Sequence, residues 1–196
     1  MIHPHTYIHP NARLATNVKV DPFTVIHQDV EIGEGTWIGS NVTIMEGARI
    51  GKNCRVFPGA VIAAIPQDLK FQGEYSTVCI GDNTTIREYV TVNRGTKVRE
   101  KTVIGKNCLI AAQVGIAGVA TIEDEVILWG QVGVSKDLTI GKGAVVLAQS
   151  GVPKSLEGGK TYFGTPTREA REKMRELAFL KQLPEIIVML KEKVNQ

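Results

Sequence analysis

Aliphatic residues recur every six positions along almost the whole chain. Counting in sixes from Ile2 meets Ile8, Leu14, Val20, Ile26, Ile32, Ile38, Ile44, Ile50, Val56 and Ile62. The count misses at Asp68 and Glu74, then resumes in the same phase at Ile80, Ile86, Val92, Val98, Ile104, Ile110 and Ile116 and runs on to Val152. Four residues after each anchor stands a second small or β-branched residue, as at Ala12, Val18, Thr24, Thr36, Ala48, Cys54, Thr84, Thr96, Thr102, Cys108 and Val132. A period of six matches neither the 3.6-residue helix nor the two-residue strand. It matches a short strand, a corner and another short strand, with three such units closing a turn and successive turns stacking in parallel. Isoleucine and valine suit the interior of such a stack, because β-branching favours extended backbone. Glycine often follows the anchor directly, at Gly33, Gly39, Gly51, Gly81, Gly105 and Gly141. Its tolerance of unusual backbone angles accounts for it there as a corner residue.

Residues 63–79 break the column with Pro66, Gly73 and a run of charged and amide side chains, which predicts a loop projecting from a corner. A loop of this length in a compact domain points to function. A weaker disturbance covers Asn93 to Lys101. The hexads therefore predict a β-solenoid domain over residues 1–153. Residues 154–196 read as a linker and C-terminal helices. In that tail Thr167 is a candidate helix cap, and Pro184 marks a restart or kink. Leu180, Leu183, Ile187, Leu190 and Val194 form a stripe at three- and four-residue spacing, suited either to the chain's own solenoid or to sister tails in an oligomer.

Composition narrows the function classes. Of 196 residues, 43% are hydrophobic and only 6% aromatic, with twenty glycines, which suits a uniform core with many tight corners. The formal charge of +3 is scattered through the repeats, so no nucleic-acid-binding face is expected. Cys54, Cys79 and Cys108 are odd in number and lack CxxC spacing, which argues against disulfides or zinc and for a reducing compartment. The chain opens Met1-Ile2-His3-Pro4-His5, without the basic and apolar regions of a secretory signal. No stretch approaches the roughly 20 apolar residues of a membrane span. A cytoplasmic protein without a membrane span, metal or resident cofactor is expected.

The specific motifs lie around the interruptions. Pro66-Gln67-Asp68-Leu69-Lys70-Phe71-Gln72-Gly73-Glu74, Ile80-Gly81-Asp82-Asn83 and Ile86 to Thr96 resemble the acyl-carrier-protein:UDP-N-acetylglucosamine O-acyltransferases of lipid A biosynthesis. From about Val103 to Leu183 the chain is similar to the UDP-3-O-acylglucosamine N-acyltransferases of the same pathway, through Gln113 to Gly118, Trp129 to Lys136 and Tyr162 to Pro166. A natural paralogue and an assembled chimera would both look like this. The resemblance implies a left-handed parallel β-helix, an all-β solenoid with a short helical tail. It also implies a homotrimer with sites between subunits, a 3-hydroxyacyl donor carried by acyl carrier protein, and a UDP-amino sugar acceptor.

Onto this sequence the resemblance carries Gln67, Asp68, Lys70 and Asn93 as substrate-binding positions, Asn93 standing where many relatives have histidine. The family's general-base histidine has no counterpart. Its position matches Gly118 and that of a second histidine matches Gly115, while His3, His5, His9 and His27 all lie near the N-terminus. A substitute carboxylate such as Glu123 or Asp124 is one way to recover a base. Three readings stay open: an acyltransferase of lipid A biosynthesis, a catalytically silent scaffold or UDP-sugar-binding module, and an acyltransferase with another donor such as acetyl-CoA.

Overall fold

The computed structural model describes residues 1–97 and 100–194, with the side chains of 193 and 194 outside that description. The chain coils so that successive short strands enter three parallel sheets in rotation. The first face holds eight strands, from Tyr7–Ile8 to Gly151–Val152. The second holds seven, from Arg13–Leu14 to Thr139–Ile140. The third holds nine, beginning at Lys19–Val20. Outside the interruptions, each residue pairs with the one eighteen positions later, as Ile26 with Ile44 and Ile44 with Ile62. The aliphatic anchors thereby form one internal file, and Ile26, Ile44, Ile62, Ile86, Ile110 and Ile122 are wholly buried. Burying each such side chain contributes about 1.5–3 kcal/mol against conformational entropy.

The second column is buried too, including its threonines Thr24, Thr36, Thr84 and Thr102. A buried hydroxyl is tolerated only when hydrogen-bonded, and these are. Thr36 Oγ1 donates to the Gly51 carbonyl and accepts the Cys54 N–H, at 2.8 and 3.0 Å. Thr102 Oγ1 donates to the Asn93 carbonyl and accepts the Val119 N–H, at 2.7 and 2.9 Å. The substitution Thr102→Val, which keeps the shape and removes both bonds, is expected to lower stability by roughly 1–3 kcal/mol in urea unfolding. An unchanged midpoint would show that Thr102 does not staple these two segments.

The glycines after the anchors have a different cause from the one expected. Left-handed backbone falls two positions further on, at Asn17, Asn41, Asn53, Asn83 and Asn107 and at Gly35, Gly47 and Gly59. Gly33, Gly51, Gly81 and Gly105 stack instead along one edge, where turns meet too closely for a side chain. A Cβ on Gly33 would lie 2.6 Å from the Gly51 carbonyl carbon, and one on Gly81 would lie 2.7 Å from that of Gly105.

Both interruptions leave the coil at the same edge, between the first and second faces, in successive turns. Ile62 and Ile80 are consecutive anchors eighteen positions apart, and Val92 and Ile104 twelve apart. Since both insertions are multiples of six, the count keeps its phase across them. The internal file therefore passes from Val92 to Ile104, and the expected anchor Val98 lies outside the described residues.

The C-terminal segment departs from the expected linker and helices. Leu156 bridges Ile140 and Thr161–Phe163 pairs with Val145–Val146, so residues 154–163 complete one more turn. Arg168–Glu169 then returns antiparallel to Tyr162–Phe163. This pairing displaces the helix start to Ala170, so Thr167 is not its cap. Thr167 is buried, and its hydroxyl has no partner among the described residues. One helix, Ala170–Val194, follows and continues through Pro184 without a restart. It gives up the hydrogen bond that the missing N–H would make one turn back. Leu180, Leu183, Ile187 and Leu190 are exposed, so the stripe does not pack on this chain's sheets. The side chain of Val194 lies outside the described residues. No described helix is long and apolar enough to cross a membrane.

Candidate functional site

The two loops frame a groove of about 960 Å³ on the first face. Its floor is the outward side of four strands whose residues just before the anchors are Thr91, Gly115, Gly133 and Gly151, held in register by parallel pairing. Gly115 and Gly133 face open space. A Cβ on Gly115 would meet only Thr91 Oγ1 at 3.6 Å, and one on Gly133 would meet nothing within 4 Å. Neither has the positive φ that calls for glycine, and glycine inside a strand costs roughly 0.5–1 kcal/mol. Such a position marks a surface that a ligand or another backbone approaches closely. Pro153, Thr165 and Pro166 close the far end.

Gln67, Asp68 and Lys70 all line this groove, as do Asn93, Gly115 and Gly118. The 63–79 loop is held at its root by Arg94 N–H donating to the Ala64 carbonyl at 3.0 Å and by Asn93 Nδ2 donating to the Ile65 carbonyl at 3.3 Å. Asn93 is 7% exposed, so it acts as much in seating the loop as in facing the groove. On the returning limb, the Tyr75 hydroxyl donates to Asp29 Oδ2 at 3.0 Å and accepts from Arg49 Nη2 at 3.1 Å. Arg49 also pairs with Asp29 Oδ1 at 2.6 Å.

The tip is a compact turn in which Asp68 accepts the Lys70 N–H on its side chain and the Phe71 N–H on its carbonyl, both at 3.0 Å. It reaches along the prism to Lys136, whose Nζ donates to Asp68 Oδ2 at 2.8 Å. The Lys136 bond, followed by the Lys70 N–H, holds the Asp68 carboxyl below the usual carboxylate range. Asp68 raises Lys136 in turn. A depressed carboxylate pKa means that this contact is present above the ordinary carboxylate pKa of about 4. It is lost as pH falls through the lower folded value, so the pair is intact at neutral pH.

The second loop is fastened as firmly. Glu100 Oε2 accepts the Thr96 and Lys97 N–H groups at 2.9 Å each, and Ser76 Oγ donates to the Gly95 carbonyl at 2.7 Å. This packing sets the identity of residue 118: a Cβ there would overlap the Arg94 carbonyl oxygen. The candidate carboxylates Glu123 and Asp124 sit elsewhere. Glu123 accepts the Lys142 N–H and Asp124 the Lys106 N–H, both at 2.7 Å on a corner away from the groove. They are turn-stacking residues, and neither lines this groove. His3, His5, His9 and His27 occupy the first turns of the coil, away from the groove.

Glu100, Ser135 and Lys136 also line the groove; Ser135 and Lys136 end the Trp129 to Lys136 motif, but none of the three was assigned a site role from the sequence. A usable signal was present in the repeat. Position 136 is eighteen after 118, so with Gly115 opposite Gly133 it stands one turn along in the same column. Counting in eighteens finds Lys136; counting in sixes does not.

The bacterial transferase hexapeptide model (six repeats) matches residues 29–64, and the model for the hexapeptide repeat of succinyl-transferase matches residues 101–129. A Sulfurihydrogenibium acyl-[acyl-carrier-protein]–UDP-N-acetylglucosamine O-acyltransferase is 53% identical over 117 residues, 59% of this chain and 43% of that protein. The Xylella fastidiosa protein of the same name is 40% identical over 149 residues, 66% of this chain and 57% of that one. The crystal structure of a UDP-N-acetylglucosamine acyltransferase from Bacteroides fragilis superposes with a TM-score of 0.74 at 36% identity, covering 87% of this chain and 74% of that one. The chain spans between 25% and 57% of the length of such curated relatives.

Proposed function

The chain belongs to the UDP-N-acetylglucosamine acyltransferase family, and from that premise we propose that its groove takes a UDP-amino sugar and a 3-hydroxyacyl chain delivered by acyl carrier protein, for acyl transfer in lipid A biosynthesis. The observation that carries this reading is the convergence of Gln67, Asp68, Lys70 and Asn93 on one groove with the bare floor at Gly115 and Gly133. An extended alkyl chain fits a floor that carries no side chains, and the polar loop residues stand at its rim to orient a sugar and its phosphates. The coil is read as left-handed, the hand of the family. The protein is read as a cytoplasmic homotrimer, in which the exposed Leu180, Leu183, Ile187 and Leu190 pack against sister helices.

The chemistry favours an amine acceptor. An amine above its pKa already presents a lone pair, whereas a hydroxyl needs a base to take its proton as it attacks. No histidine lines the groove, Asp68 is bound to Lys136, Glu100 is bound to the loop amides, and Asp137 is the one further carboxylate among the described lining residues. In amine transfer the nitrogen attacks the thioester carbon, the C–N bond forms, the C–S bond breaks, and the proton lost from nitrogen ends on solvent or on the released thiolate. This agrees with the N-acyltransferase-like motifs of the C-terminal half.

The same obstruction at Gly118 favours a second reading, a UDP-sugar-binding module without turnover. Purified protein incubated with 3-hydroxyacyl carrier protein and either UDP-N-acetylglucosamine or the 3-O-acylated UDP-glucosamine amine separates the two. Acyl transfer to the amine, faster than to the hydroxyl, is expected. Calorimetric binding of the nucleotide sugar with no product across acyl lengths would leave only the binding module, and no binding at all would remove both.

A further inference from the structure

The ion pair between Asp68 and Lys136 spans three strand-to-strand spacings of the first face. The loop leaves that face at Ala64, while Lys136 follows Gly133–Val134, with the Thr91–Asn93 and Gly115–Ile116 strands between them. At 4.7–4.9 Å per strand, the tip reaches about 14 Å along the groove to make this contact. The contact is charge-assisted and half exposed, with Lys136 58% and Asp68 19% accessible. An ion pair of that exposure is weak and exchangeable. On the returning flank of the tip, Gly73 (φ 98°) has nothing within 4 Å of its Cβ position. The loop is pinned at Ala64 by Arg94 and at Ile65 by Asn93 on one limb and at Tyr75 on the other, so the segment that can move lies between these points.

Glu100 is engaged by the Thr96 and Lys97 amides. Asp68 is the carboxylate that Lys136 holds, and Lys70, next to it on the tip, makes no ion pair among the described residues. Lys70, Lys97 and Lys136 face Asp68, Glu100 and Asp137 around a groove read as binding a phosphate-bearing substrate, and Lys70 adds its charge to that of Lys136 at the tip. A phosphate arriving there carries more charge than Asp68 and competes with it for Lys136.

We infer that Asp68 and Lys136 form an anion-operated latch: in the empty groove the carboxylate holds the lysine and straps the loop down, and a phosphate-bearing ligand takes the lysine and frees the tip. Only the source of the phosphate rests on the nucleotide-sugar reading. A UDP-sugar and the phosphopantetheine of an acyl carrier both carry the required group. Lys136 is then the anion-recognising residue and Asp68 its internal competitor.

Hydrogen–deuterium exchange over residues 66–73 tests this, with pyrophosphate as the probe and sodium chloride of matched ionic strength as the control, since salt alone screens exposed pairs. In the unaltered protein, pyrophosphate is expected to speed exchange of this segment beyond the salt control. Asp68→Asn keeps an oxygen for the Lys70 N–H and removes the charge. It is expected to exchange fast without ligand and to bind pyrophosphate roughly two- to fivefold more tightly, the range of an exposed ion pair. Lys136→Gln is expected to exchange fast and to show no pyrophosphate response. Unchanged exchange in the unaltered protein, or weaker pyrophosphate binding by Asp68→Asn, would overturn the latch. Parallel titrations with UDP-N-acetylglucosamine and with phosphopantetheine identify the source. If pyrophosphate opens the loop but the nucleotide sugar does not bind, the latch stands and the nucleotide-sugar reading falls.

Discussion

Placing a histidine at residue 118 is expected to destabilise the protein and to confer no acyl transfer. A side chain there starts on top of the Arg94 carbonyl oxygen, and that carbonyl has little freedom to retreat. The Arg94 N–H is bound to Ala64, the Asn93 carbonyl to Thr102, and the Gly95 carbonyl to Ser76. Overpacking against a braced backbone typically costs about 1–3 kcal/mol. Gly118→Ala is therefore expected to lose about that much in urea unfolding, and Gly118→His at least as much. Gly133→Ala, in open space, serves as the control and is expected to be neutral or to gain roughly 0.5–1 kcal/mol. If Gly118→Ala were as stable as the unaltered protein, the second loop would be mobile enough to make room, and the absent base would be a matter of one residue.

A bulky side chain on the groove floor is expected to do the reverse, leaving the fold intact and emptying the site. Gly133→Leu meets no atom at its Cβ and replaces a strand glycine with a residue of better-defined backbone preference. Its thermal midpoint should match or exceed that of the unaltered protein. The leucine would stand between Gly115 and Gly151, across the line an acyl chain would follow. Affinity for a 3-hydroxyacyl donor should fall at least about tenfold, the equivalent of 1.4 kcal/mol, while affinity for pyrophosphate at the loop is preserved. Undiminished donor binding would place the alkyl chain elsewhere.

Most of the interior was legible from one periodicity. Ile26, Ile44, Ile62, Ile86 and Ile110 are buried because six-residue units on three faces bring every eighteenth position into line, and that relation survives wherever the unit length is constant. The buried threonines at 36, 84 and 102 belong to the same arithmetic. The count alone does not reveal insertions of twelve and six residues, because multiples of six leave its phase unchanged. Glycines after the anchors were visible, but their reason was not: close approach between turns concerns a residue far away in sequence. The tail was misjudged at Thr167 for a related cause, since residues 161–169 pair with a strand of the coil before any helix begins.

For the site, the broken column marked a loop at 63–79, while Gln67, Asp68, Lys70 and Asn93 came from the family resemblance. The same resemblance is what set Gly115 and Gly118 against the family's histidine positions. The sequence by itself determined the repeating unit, the file of anchors and the existence of two excursions, because each follows from local pattern and from side chains that must leave water. It took the folded chain to show that both excursions leave one edge, that the Arg94 carbonyl leaves no room for a side chain at 118, and that Asp68 meets Lys136 over two intervening strands. Those outcomes depend on where a loop lands after it leaves the repeat, and that is set by charge and excluded volume between residues sixty-eight positions apart.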